Sequence, residues 1–270
     1  MGTRALVLKL GGELLEQPED LARVARGIVA LATQGPLVVV HGGGREIDAA
    51  LARAGIPKQQ VDGLRVTDAR TLDVVVSVLA GSINTRLVAA VRAVGGRPVG
   101  LTGADASVAT VRRARPITAV GGTTVDLGLV GSPVSNGSPT LLTDLLARRY
   151  TPIVACIGAT RDGRLMNVNA DTLASHLAAA LGARRLVIAG GTSGVLDEAG
   201  RTIARLTRAD AARLIKAGTA NKGMVAKLEA CRSAVGRGVG DVVIADGRAV
   251  RFEELADARA TLSGCTKVVK

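Results

Sequence analysis

Hydrophobic positions along this chain follow two alternating patterns. Short runs dominated by valine, leucine and isoleucine recur at Arg4–Leu10, Leu37–His41, Arg97–Leu101, Pro152–Ile157, Arg185–Ala189, Asp241–Ala245 and Thr266–Val269, and read as strands. Between them, Pro18–Thr33, Arg45–Ala54, Ala69–Val94, Ser138–Arg148, Thr172–Leu181, Arg208–Ala217 and Gly223–Val235 carry the longer spacing of amphipathic helices, with an interruption expected near Gly81. Strands that alternate with helices predict βαβ units, hence an α/β fold: a three-layer αβα sandwich around an open, mostly parallel central sheet. Ser107–Val134 breaks the rhythm. Gly121-Gly122, Gly128 and Gly131 punctuate short Val/Thr stretches there, which predicts β-hairpins and a substrate-side insertion. Turns are expected at Arg161-Asp162-Gly163 and Glu198-Ala199-Gly200. A soft division near residue 183 separates an N-terminal lobe, 1–183, from a C-terminal lobe, 184–270, within one continuous fold.

The chain has 270 residues, 47% of them hydrophobic, enough to bury a sizeable core. Apolar runs such as Leu37–Val40 and Val74–Ala80 stop well short of the ~20 residues of a bilayer span, so no membrane association is expected. With a strand beginning almost at Met1, no leader is read either, and a cytoplasmic protein is expected. Three cysteines, Cys156, Cys231 and Cys265, lack CxxC spacing and predict reduced, buried thiols. A formal charge of +12 raises the possibility of a nucleic-acid partner. Aromatic content argues against one, because Tyr150 and Phe252 are the only aromatic rings available for stacking bases. The excess charge is mostly arginine (Arg92, Arg148, Arg149, Arg184, Arg185, Arg213), expected to be solvated and able to steer anionic ligands inward.

Candidate chemistry concentrates where strands run into glycine, since an open α/β sheet presents its ligand crevice at strand C-terminal ends. Lys9-Leu10-Gly11-Gly12 ends one strand with a lysine that is costly to hold there without an anion. His41-Gly42-Gly43-Gly44 ends another and precedes a helix, so backbone N–H groups can converge on a phosphate or carboxylate; a tight turn alone would also accommodate the three glycines. In Asn167-Val168-Asn169-Ala170-Asp171 the polar residues alternate onto one face, and Asp171 opens the next helix, a position that equally suits an N-cap. Gly223-Met224-Val225-Ala226-Lys227 puts a lysine in a first helical turn, where lysine alone usually means solvated surface. Familiar nucleotide motifs are missing: Ile47 stands where a GxGxxG fingerprint needs its third glycine, Gly218–Gly223 is followed by Met224 in place of a P-loop lysine, and HRD and DFG do not occur. The two histidines, His41 and His176, support no nucleophilic triad. Phosphorylation of a carboxylate fits this poverty, because a glutamate-type group of pKa ~4.3 is already ionised and needs no base.

Taken in order, Lys9-Leu10-Gly11-Gly12, Val40-His41-Gly42-Gly43-Gly44, Asp62-Gly63-Leu64-Arg65-Val66-Thr67, Leu165-Met166-Asn167-Val168-Asn169-Ala170-Asp171 and Gly223-Met224 with Lys227 resemble the amino-acid kinase family over nearly the whole chain. Within it, the resemblance is greatest to members that phosphorylate N-acetyl-L-glutamate in arginine biosynthesis. It implies the family's fold, with the N-terminal lobe binding the acyl amino acid and the C-terminal lobe binding ATP. It implies that Lys9 and Lys227 stabilise the transferring phosphoryl group while Asp171 holds both, that Gly43 and Gly44 donate N–H groups, that Arg65 clasps the substrate α-carboxylate, and that Asn167 meets the N-acetyl amide. The acetyl group would keep the product from cyclising. ATP is implied against Gly11, Gly12, Gly191, Gly194, Gly223 and Met224, with Mg²⁺ held mainly by ATP oxygens. Relatives usually carry Ser/Thr-Asp-Val where this chain has Gly190-Gly191-Thr192, so an acidic nucleotide-side residue is absent here. Arginine-inhibited relatives carry an extra N-terminal helix, and its absence implies an arginine-insensitive homodimer. Two rivals remain. One is a sister kinase acting on aminoadipate or glutamate borne by an acidic carrier protein; the other is a catalytically silent nucleotide-binding member.

Overall fold

The computed structural model describes residues 4–119, 122–134, 139–217, 222–257 and 263–270. Val120, Gly121, Ser138 and Gly218 to Asn221 of the segments singled out above lie outside the described residues.

Among the described residues eight strands form one sheet. In spatial order they are Arg205–Thr207, Cys265–Val269, Asp241–Asp246, Arg185–Gly190, Leu6–Leu10, Leu37–His41, Thr151–Ala155 and Pro98–Thr102. All neighbours run parallel except Asp241–Asp246 with Cys265–Val269, which is antiparallel. The central strands are buried throughout, as a sheet covered on both faces demands. Register places Leu10 beside both His41 and Ala189, so the glycines that follow these strands emerge at one edge. The α/β sandwich with an open, mostly parallel sheet is therefore the architecture of this chain.

Side-chain alternation decides which chemistry goes to which face. Lys9 points to the layer of the helix Ala170–Ala180, where it meets Asp171, whereas His41, in register with the next residue Leu10, points to the opposite layer and meets Asn84. The helix Lys222–Gly236 packs on Ala170–Ala180 in the first layer. Pro18–Thr33 and the second half of the helix Ala69–Ala93 pack on each other in the opposite one.

The interruption expected near Gly81 is not a break. Helical backbone continues from Ala69 to Ala93, and Ser77–Ile83 widens to a π-type turn that absorbs the disturbance. Length and apolar composition alone would let this helix cross a membrane, which the short uninterrupted runs do not reveal. In the fold its Val75, Leu79, Ile83, Leu87 and Val91 are buried in the core.

Hairpins occur where glycine punctuated the sequence: Val111–Arg113 pairs with Gly131–Pro133, and Ile117–Thr118 with Thr124–Val125. Of two further hairpins, the first closes over the turn expected at Arg161-Asp162-Gly163 and the second was not anticipated. Ile157–Ala159 pairs with Leu165–Asn167, and Gln60–Val61 pairs with Leu64–Arg65 across Asp62-Gly63, both of positive φ, the two-residue turn that Asp-Gly favours. Arg185 also departs from expectation: it is buried, ion-paired to Asp241, and donates to the carbonyls of Leu255 and Asp257.

Candidate active site

Lys9, Asp171 and Lys227 meet. Asp171 stands 5% exposed on the first turn of Ala170–Ala180, with Lys9 Nζ 2.9 Å from Oδ1 and Lys227 Nζ 3.4 Å from Oδ2. Lys9 thus forms a close ion pair with Oδ1, while Lys227 donates a long hydrogen bond to Oδ2. The N-cap role open to Asp171 falls instead to Asn169, whose Oδ1 accepts the Thr172 N–H at 3.0 Å. That leaves the Asp171 carboxylate to the lysines.

Burial works against charge on both Lys9 and Asp171, yet their mutual attraction prevails. Lys9 is held above its ordinary pKa, mainly by Asp171 with a smaller contribution from Glu13, and Asp171 is held below its own by Lys9 and Lys227. Two ammonium groups share one carboxylate, so the triad carries one positive charge in excess at the sheet edge. Such a centre is prepared for an anion.

The glycines around it answer to close packing. A Cβ on Gly12 would lie 2.7 Å from the Gly43 Cα, so the two glycine loops touch through their backbones. A Cβ on Gly43 would strike Ile83 of the π-type turn at 2.2 Å, whereas one on Gly44 would meet nothing within 4 Å. Gly44, with open space on its Cβ side, begins the helix Gly44–Arg53, whose first-turn N–H groups have no partner within the helix.

Arg65 is buried at 9% exposure beside this space. Its Nη2 pairs with Asp48 and donates to the Gly44 carbonyl at 3.3 Å, while its buried Nη1 has no partner. A half-used, buried guanidinium fits a carboxylate ligand, since an unmet charged donor is costly. Asn167 Nδ2 donates to Thr67 Oγ1 at 3.1 Å, which orients the amide and leaves Oδ1 as its acceptor.

Gly191, Gly194 and Met224 line a second space of about 650 Å³ together with Val195 and Leu196. Gly194 has φ +75°, and the next N–H, of Val195, is held by Thr266 Oγ1 at 2.7 Å, so Thr266 of the Gly264-Cys265-Thr266 step pins this loop. Gly11 and Gly12 do not line that space: Gly11 flanks Glu13, and Gly12 packs on Gly43. Gly223 sits in the first turn below Lys227. A larger cavity of about 1000 Å³, bounded by Leu64, Ile117, Asn169 and Ala226 among others, lies beside the triad and includes neither lysine.

Sequence reasoning missed four supporting residues. Asp48 pairs with Arg65. Glu13 Oε1 accepts the Gly191 N–H at 2.8 Å, bringing a carboxylate to a segment that has none of its own. Cys156 Sγ donates to the His41 carbonyl at 2.8 Å, and Asn84 Nδ2 bonds His41 Nε2 and the carbonyls of Leu101 and Ile153. Only Glu13, a charge beside Gly11-Gly12, left a local signal. All three cysteines are free and buried.

The sequence profile of the Amino acid kinase family matches residues 4–246. This chain belongs to the amino acid kinase family. Among curated amino acid kinases, an acetylglutamate kinase of Parvibaculum lavamentivorans is 41% identical over 272 aligned residues, covering 99% of this chain and 89% of its own length. One of Nitrobacter hamburgensis is 43% identical over 249, covering 90% and 83%. Among solved structures, the N-acetylglutamate synthase of Neisseria gonorrhoeae, complexed with coenzyme A and N-acetyl-glutamate, superposes with a TM-score of 0.82 at 25% identity. The superposition covers 99% of this chain, which spans 59% of the synthase chain. The carbamate kinase of Giardia lamblia bound to AMP-PNP shares the fold at TM-score 0.70 and 16% identity, each chain covered to 99%.

Proposed function

We propose that this protein is an acetylglutamate kinase, transferring the γ-phosphoryl group of ATP to the side-chain carboxylate of N-acetyl-L-glutamate. The observation that carries the reading is the Asp171 carboxylate shared by Lys9 and Lys227, with the unmet Arg65 Nη1 beside the glycine loops. Relatives of that name at 41–43% identity over most of both chains support the choice of acceptor.

The acceptor carboxylate is ionised at neutral pH, so an oxygen of it attacks the γ-phosphorus directly. A carboxylate O–P bond forms, the bond from the γ-phosphorus to the bridging oxygen breaks, and its electron pair leaves on ADP. No proton moves. Lys9 and Lys227 neutralise the charge that spreads over the transferring oxygens, and Asp171 sets the separation of their ammonium groups. Arg65 Nη1 takes the substrate α-carboxylate, Asn167 accepts from the acetamido N–H, and N–H groups of Gly43 and Gly44 orient the acceptor. The nucleotide occupies the space along Gly191–Leu196 and Met224 in the C-terminal lobe, 184–270, with the acyl amino acid on the N-terminal lobe, 1–183.

Among the described residues no three metal-ligating side chains cluster, which suits a Mg²⁺ ion that arrives held by nucleotide oxygens. Bound there, Mg²⁺ would withdraw charge from the phosphate oxygens. Incubation with ATP, N-acetyl-L-glutamate and hydroxylamine tests the reading, because an acyl phosphate is trapped as a hydroxamate. Hydroxamate is expected with N-acetyl-L-glutamate, and its absence together with turnover of a carrier-borne aminoadipate or glutamate would transfer the assignment to that substrate.

A further inference from the structure

Glu13 has no part in the chemistry above, yet its surroundings are built around it. It lies in the short turn Gly12–Leu14, anchored by the fully buried Leu14 and Leu15, and its own side chain remains partly exposed. Its Oε1 accepts the Gly191 N–H at 2.8 Å. A Cβ on Gly11 would come within 2.4 Å of that oxygen and one on Gly190 within 3.0 Å, so glycine at both positions keeps room for this carboxylate. Lys9 feels its charge.

Position gives it consequence. Gly191 lines the space assigned to the nucleotide, while Lys9 belongs to the transfer centre. Glu13 touches the first and acts on the second, so a polyphosphate reaching from one to the other passes its carboxylate. Bare phosphate oxygens would be repelled there, and a divalent cation carried by those oxygens would be attracted. We propose that Glu13 is the specificity residue by which this protein selects the metal-loaded nucleotide over the metal-free one. The proposal rests on the kinase reading.

Glu13→Gln tests charge alone, since the glutamine Oε1 still accepts the Gly191 N–H and the volume is unchanged. Affinity for ADP is measured by calorimetry with Mg²⁺ and with a chelator in its place, on wild type and variant, with thermal midpoints compared to confirm folding. The wild type is expected to favour MgADP. In the variant metal-free ADP should tighten and MgADP weaken, so that the preference falls about tenfold. A preference unchanged within about twofold overturns the proposal, and so does equal tightening of both forms, which would mark Glu13 as a plug of the empty crevice. Wild-type protein that binds neither form contradicts the kinase reading, and both fall. Glu13→Ala, which also removes the contact to Gly191, should lower the preference as far as Glu13→Gln; retention of the preference in Glu13→Ala would contradict the role of the charge.

Discussion

Lys227 Nζ lies 3.4 Å from Oδ2 of Asp171, although the two residues belong to different helices and stand 56 positions apart in the chain. Lys9 takes the other oxygen, so the carboxylate works as a spacer between two cations. Lys227→Met should lower kcat by about 10²–10³-fold while the KM values for ATP and N-acetyl-L-glutamate change little, as expected for a charge used mainly in the transition state. Asp171→Asn should be worse on two counts, since it displaces both lysines and leaves the buried Lys9 charge facing that of the partly buried Lys227. A stability loss of about 3–5 kcal/mol, read from urea denaturation, is expected for breaking such a pair.

Arg65 tests substrate recognition apart from chemistry. Arg65→Lys keeps a positive charge but cannot pair with Asp48 and offer a second donor together. Loss of one charge-assisted hydrogen bond, worth about 1.5–3 kcal/mol, should raise the KM for N-acetyl-L-glutamate by about 10–150-fold with a smaller effect on that for ATP. Steady-state kinetics with each substrate varied in turn would show the split.

The glycines separate packing from ligand space. Gly12→Ala drives a Cβ into the Gly43 backbone and should abolish turnover by prising the two loops apart. Gly44→Ala meets nothing in the protein, so its unfolding free energy should stay within about 0.5 kcal/mol of wild type while acceptor binding weakens, because the proposed acceptor would occupy that vacant space. Paired calorimetric and denaturation measurements on the two variants check the contrast.

The pH dependence should divide between activity and stability. His41 is buried, and desolvation brings its pKa down to about 4, so it is neutral in the folded protein. Unfolding restores a value near 6.5, the unfolded chain therefore binds the extra proton, and stability falls as pH drops from about 6.5 to about 4, by up to roughly 3 kcal/mol. His176, also brought down to about 4, adds to the slope in the same window. Asp171, with its pKa lowered, contributes above the ordinary carboxylate range and loses that contribution only as pH falls through its depressed value; Lys9, with its pKa raised, contributes until pH rises through its elevated one. Hence kcat should be flat between about pH 6 and 8, while urea midpoints decline below about 6.5. A bell with a limb near neutrality would indicate a general base.

Much of this was legible in the sequence, and the exceptions have physical causes. Lys9 could be nominated locally, because a lysine closing a buried strand just before two glycines is unusual, whereas Asp171 and Lys227, which read locally as an N-cap and as solvated surface, were nominated only through the family resemblance. Gly81 misled because a π-type turn accommodates it, and packing of Leu79 and Ile83 on Gly43 holds the helix together there. Arg185 misled because its partner Asp241 comes from a neighbouring strand 56 residues away, a pairing no local pattern records. Asn84 was invisible for the same reason: its three partners lie on three different strands. The Asp62-Gly63 hairpin, by contrast, carried its turn signal in plain view.

The claim beneath all of this is that a carboxylate oxygen of N-acetyl-L-glutamate attacks phosphorus between Lys9 and Lys227. Substrate labelled with ¹⁸O in its side-chain carboxylate, turned over with ATP in the presence of hydroxylamine, tests it most directly. Hydroxylamine cleaves the acyl phosphate at carbon, so the released inorganic phosphate should carry ¹⁸O, visible as an isotope shift in its ³¹P resonance. Phosphate released without the label would mean that water is the acceptor, and would contradict the account.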